Sequence, residues 1–68
     1  MTAIIFPNDP LISYVKKGEL KDRYFNPNNI FKKIHFITFT NSECKVEDIQ
    51  KTIGSAKGHI HTLKSLSL

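Results

Sequence analysis

With 68 residues and ten Lys and Arg against six Asp and Glu, the chain has room for one small domain and, at a net +4, a bias toward anionic partners. A domain of this size buries only about 60% of the surface its unfolded chain exposes, and the lone Cys44 excludes a disulfide framework. No apolar run is long enough to cross a bilayer, and MTAIIFPNDP has neither the basic start nor the apolar length of a secretory leader, so the expected compartment is the cytoplasm.

Ala3 to Phe6 is a short apolar run ended by Pro7, the pattern of a strand buried on both faces. Helix signals follow. Asp9 can cap, Pro10 fits the first helical position, and Leu11, Ile12, Tyr14 and Val15 supply an apolar face. Lys16 and Lys17 suit the negative end of that helix, and Gly18 stops it. Glu19 to Phe25 can add a further helical turn or two before Pro27 forces Asn26 into an extended conformation and Asn28-Asn29 makes a turn.

Ile34 to Phe39 is β-branched and aromatic, apart from His35, and reads as the best strand of the chain. Thr40 and Glu43 have capping-box spacing, with Asn41 as the alternative cap, and Val46, Ile49 and Ile53 recur at helical spacing up to Gly54. His59 to Leu63 reads as a third strand, followed by the Ser/Leu tail KSLSL. Both connections are long enough for crossover helices, so the strands are expected to be parallel, with right-handed crossovers. The predicted architecture is an α/β three-layer half-unit of a doubly wound fold, with a bare sheet edge and uncovered apolar surface.

Few residues carry recognisable chemistry. After Phe6 the chain runs PNDP rather than GxGxxG, which argues against a dinucleotide site, and there is no P-loop. His59 and His61 share a face of the third strand and His35 lies on the second, but no carboxylate or cysteine cluster joins them, so no metal site is expected. Cys44 has no local partner and reads as a structural cysteine. Asp9 suits a helix cap and a catalytic base equally well. The run KKGELKDRYF interleaves charge with stacking residues as nucleic-acid binders do. Glu19 and Asp22 interrupt it, and its aromatics fit a core, so no nucleic-acid partner is expected.

The string NDPLISYVKKGELKDRYFNPNNIFKKIHFITF resembles the start of bacterial and archaeal glycosyltransferases of the family 4, group 1 type. The likeness runs through a strand and NDP, then through a K-G-E-x-K-x-R-Y-[YF]-N-P element matched by Lys17, Gly18, Glu19, Lys21, Arg23, Tyr24, Phe25, Asn26 and Pro27. Asn29, Phe31, Ile34, His35 and Ile37 continue it, and IGSAKGHIH is similar to the family's V-G-D-A-K-x-x-I-H stretch. Lys32 and Lys33 depart from it where acidic residues are expected, and Ser55 stands where Asp is common.

The resemblance implies a partial Rossmann-like unit of the GT-B type, with residues 1–68 forming part of an amino-terminal, acceptor-side domain. It implies sugar transfer from a nucleotide-sugar to an acceptor hydroxyl, with the donor and an E-x7-E motif held by a second domain. The chain is then similar to a truncated amino-terminal part, inactive alone, with no catalytic residue and no cofactor. The implied partner is an acceptor glycan or lipid-linked sugar, with peripheral association at a membrane. Substrate contacts are expected at Asn8, Asp9, Lys17, Gly18, Arg23, Tyr24 and Asn26. Arg23, Tyr24 and Asn26 also fit a plainer role, locking the connector against the sheet. The competing expectation is a small basic, non-enzymatic interaction module that self-associates through an open sheet edge or binds an anionic partner.

Overall fold

The computed structural model describes residues 1–39 and 43–63. Five elements follow one another: β1 (Thr2–Ile5), α1 (Leu11–Lys17), β2 (Lys33–Thr38), α2 (Val46–Ile53) and β3 (Lys57–Thr62). The strands form one parallel sheet in the order β1-β2-β3, so the chain is a small α/β domain compatible with a Rossmann-like unit. Among the described residues no helix is long and apolar enough to cross a membrane.

Each strand begins one or two residues earlier than its composition suggests. The ladder starts at Met1, whose carbonyl accepts from the Lys32 N–H at 2.8 Å, while the Lys32 carbonyl accepts from the Lys57 N–H at 2.9 Å. Pairing draws Lys33 and Lys57 into the sheet against their weak β preference, and both side chains remain exposed.

α1 differs at its start. Pro10 occupies the cap position, no side chain of the cap residue bonds there, and Asp9 does not serve as the cap. The carboxylate of Glu43 does so instead, accepting from the Leu11 N–H at 2.9 Å and the Ile12 N–H at 2.6 Å. At the other end Gly18 N–H donates to Val15 O and Glu19 N–H to Tyr14 O, closing the helix with a Schellman pair. Glu19 to Phe25 does not continue it. Asp22 to Phe25 is a turn, because its amides bond outward to Lys51 O and Thr52 O as well as locally. α2 starts at Val46, and the Asp48 carboxylate accepts from the Lys45 N–H at 3.1 Å. Thr40 and Asn41, the expected caps, and the KSLSL tail lie outside the described residues.

The architecture has two layers rather than three. A strand order that advances in one direction sends both crossovers over the same face, and α1 and α2 touch each other there. Leu11, Ile34, Phe36, Ile49, Ile53 and Ala56 form the core between helices and sheet. Gly58 marks the closest approach: a methyl group there would lie 2.8 Å from Ile53 and 2.9 Å from Val46, so α2 rests directly on the β3 backbone. Among the described residues no helix lies on the opposite sheet face, and strand alternation sends Ile4, His35, Ile37, His59 and His61 to it.

Candidate functional site

In a parallel sheet the carboxyl ends of the strands are where successive loops leave room for a ligand. Here the loop Phe6-Pro7-Asn8-Asp9-Pro10 leaves β1 and faces Ile37, Thr38 and Phe39 at the end of β2, enclosing an open crevice of about 190 Å³. Pro7 ends β1 by removing a ladder donor, and Pro10 pre-sets the turn into α1. Asn8 and Asp9 are thereby carried across the mouth of the crevice. Phe6 and Phe39 supply apolar walls.

Thr38 lies beneath the crevice. It is 5% exposed, on the helix side of β2 in line with Ile34 and Phe36. Its buried Oγ1 has no hydrogen-bond partner among the described residues, which costs about 1–3 kcal/mol. The first amides of α1 offer no second polar wall, because Glu43 already occupies Leu11 and Ile12. That carboxylate also neutralises the positive end of a short helix, so the crevice suits an uncharged polar ligand better than an anion.

The seven residues expected to contact substrate do not form one site. Asn8 and Asp9 lie at the crevice. Lys17, Gly18, Arg23, Tyr24 and Asn26 belong to the end of α1 and the connector into β2, at the amino ends of the strands. Most of that connector's polar groups are engaged in holding it down. Asn26 is fully buried: its Nδ2 donates to Phe31 O at 3.1 Å and Ile53 O at 3.0 Å, and its Oδ1 accepts from the Phe31 N–H at 3.1 Å. The Arg23 N–H donates to Lys51 O at 2.7 Å and the Phe25 N–H to Thr52 O at 2.9 Å. Asn29 Oδ1 accepts from the Ser55 N–H beside Gly54. There φ of +64° and an approach of 2.5 Å to Asn29 Oδ1 leave no room for a side chain.

Tyr14, Tyr24, Phe25 and Phe36 run from the connector into the core with ring centroids 4.9 to 6.5 Å apart. Tyr14, Glu19, Lys21 and Tyr24 line a smaller recess of about 100 Å³. Burial, the Asp9 carboxylate and Tyr24 raise the Tyr14 phenol above its ordinary pKa, so it stays protonated as a donor. The Arg23 guanidinium remains half exposed, with Asp22 only at 3.7 Å.

The histidines gather on the bare sheet face. His35 and His61 approach at 2.8 Å between Nδ1 and Nε2, and His35 stacks on His59 with centroids 4.9 Å apart. The rings lie within 27° of parallel, which stacks their edges rather than pointing three lone pairs at one centre. Among the described residues no group of three or more His, Cys, Asp or Glu is arranged to hold a metal ion. Desolvation first, then His59, His61 and Lys33, lowers the His35 pKa, so its imidazole is neutral at physiological pH. Cys44 packs at the edge of the core, and burial, Glu43 and Asp48 raise its thiol pKa, which makes it a poor nucleophile.

Thr38 is absent from the residues singled out in the sequence, and Glu43 is read there only as the partner of Thr40 in a capping box. A threonine at the core-facing phase of the second strand was a visible signal for the first. Glu43 acts 31 and 32 positions away, and no local pattern announces that. Comparison with protein-family models, curated proteins and solved structures finds no match to this chain.

Proposed function

We propose that this chain is the acceptor-side, amino-terminal unit of a glycosyltransferase of the type its sequence resembles, and that the crevice receives a hydroxyl-bearing acceptor. The observation that carries this reading is a crevice at the carboxyl ends of β1 and β2 whose rim holds Asn8 and Asp9 and whose walls include Phe6 and Phe39. A sugar presents both faces of the required chemistry. Its hydroxyls can bond the Asp9 carboxylate and the Asn8 amide, while its C–H surface lies against Phe6 or Phe39. Sites with a few placed polar groups on apolar walls recognise ligands in this way.

In this reading Asp9 accepts a hydrogen bond from the incoming hydroxyl and orients it, and the connector residues Arg23, Tyr24 and Asn26 brace the scaffold from the far end. Transfer itself requires a nucleotide-sugar held opposite the crevice, which the resemblance assigns to a second domain. In this reading the 68 residues supply acceptor binding, and incubating them by themselves with nucleotide-sugars should give no acceptor-dependent nucleotide release.

The direct test is an NMR titration with neutral mono- and disaccharides alongside sugar phosphates. The expected result is fast-exchange shifts confined to Asn8, Asp9, Thr38 and Phe39, weakened several-fold by Asp9→Asn and by Asn8→Ala. Absence of shifts with every sugar, or shifts that both variants leave intact, would overturn the reading. The bare sheet face favours a second role, as an interaction module.

A further inference from the structure

We propose that the uncovered sheet face is closed by a second copy of this chain, the two sheets stacked face to face with their strands antiparallel. The inference does not rest on the sugar-binding reading, although Phe6, Ile37 and Phe39 at one end of this face also line the crevice.

The face is ordered along the strands. Its first row is Thr2, Lys33 and Lys57, and its second is Ile4, His35 and His59. Ile37 and His61 form the third row, which the strand alternation extends to Phe6, and Phe39 and Leu63 form the fourth. Cations thus stand at one end, imidazoles in the middle and large apolar groups at the other, with no carboxylate in any row. Ile4 at 68%, Phe6 at 64%, Phe39 at 64% and Leu63 at 46% exposure are too large and too contiguous to be scattered surface residues.

This gradient matches an inverted copy of itself. A two-fold axis across the strands sets β1 over the partner's β1 and reverses the rows, so Ile4 meets Phe6, His35 meets Ile37 and His59 meets His61. Self-complementary patches of this kind close into dimers. The lysine rows are then about 20 Å apart along the strands, more than twice the screening length of about 8 Å at physiological salt. The alternative axis, along the strands, would stack Lys33 of one copy on Lys33 of the other, and charge disfavours it. Sheets packed in this way lie about 10 Å apart, which leaves a gap the facing side chains can fill.

The same face predicts a response to acid. The groups around the imidazoles are Lys33, Lys57 and one another, while β1 contributes only Thr2 and Ile4. Protonation therefore places positive charge between the sheets with no carboxylate to offset it.

Sedimentation equilibrium on the full chain, from micromolar to near-millimolar concentration, tests the proposal. A three-stranded face makes a small interface, so a weak, concentration-dependent dimer is expected at neutral pH. Its dissociation constant should rise at least tenfold when the pH falls below the histidine range. Ile4→Glu and Phe6→Glu should remain monomeric. Leu63→Glu, which sets a carboxylate over the partner's Lys57, should associate as tightly as wild type or more so. A wild type that is monomeric at every concentration, or a dimer indifferent to Ile4→Glu, overturns the proposal. So does dispersal by Leu63→Glu in a variant whose NMR spectrum remains folded. Filtered NOEs in a mixed-label wild-type sample give a reading free of mutation: contacts between Ile4 methyls and the Phe6 ring of the other copy are expected, and a dimer lacking them refutes the arrangement.

Discussion

The two faces of this sheet are built by the same strands and behave as different materials. On the covered face Ile34 and Phe36 are fully buried, β3 carries a glycine where α2 presses on it, and both helices pack side by side. On the other face Ile4 and Phe6 stand exposed beside three histidines whose rings stack on one another. Side-chain alternation with a period of two assigns each residue to one face, and the one-way strand order decides which face receives helices. Fold stability is therefore concentrated on one side, while the other holds surface available for association.

That contrast can be broken most directly at its centre. Phe36→Ala should cost about 3–5 kcal/mol, enough to unfold a domain this small, whereas Ile4→Ala on the neighbouring strand and the opposite face should move a urea midpoint little at concentrations where the chain is monomeric. Equal losses would show that the bare face carries as much of the fold as the covered one. The connector offers the next largest effect. Asn26→Ala strips three hydrogen bonds from a fully buried site and should cost about 2–4 kcal/mol, measured by chemical denaturation, with sugar binding at the crevice unchanged in the folded fraction.

The neighbouring pair Gly58 and His59 sharpens the comparison, because adjacent residues point to opposite faces. Gly58→Ala should destabilise by about 1–3 kcal/mol through overpacking against Ile53 and Val46, while His59→Ala should shift the monomer's midpoint by less than about 0.5 kcal/mol. The smallest effect concerns pH. The lowered His35 pKa means that the unfolded chain binds its proton more readily than the folded chain. Stability is thus fully present above the usual histidine value of about 6.5 and is lost as pH falls toward the lower folded value. Urea midpoints for wild type should drop over that range, and His35→Gln should flatten the drop.

Much of this was legible in the residues, and what was not follows a physical rule. The runs AIIF and IHFITF and the spacing of Val46, Ile49 and Ile53 announce their elements, because local period and β-branching act over a few residues. Strand starts shifted because a ladder partner, not propensity, brought Lys33 and Lys57 into the sheet. Asn8 and Asp9 were readable as the loop after the first strand, while Thr38 was hidden within the best strand of the chain. The connector resembled a binding surface by composition, yet Asn26 turns inward to Ile53 and the exposed Asn29 bonds Ser55, some 26 or 27 positions away. Two layers replaced three because both crossovers advance in the same direction.

The reach of Glu43 has a consequence for the order of folding. α1 has seven residues, well below the roughly 12–15 at which an isolated helix becomes even marginal. Its two leading amides are satisfied only when the segment after β2 has swung back across the sheet. Little of this helix should therefore form early. Deuterium uptake at Leu11 and Ile12 should report the arrival of the β2–α2 junction, and should match the slowest exchange of the β2 backbone rather than the fraying expected of a short terminal helix.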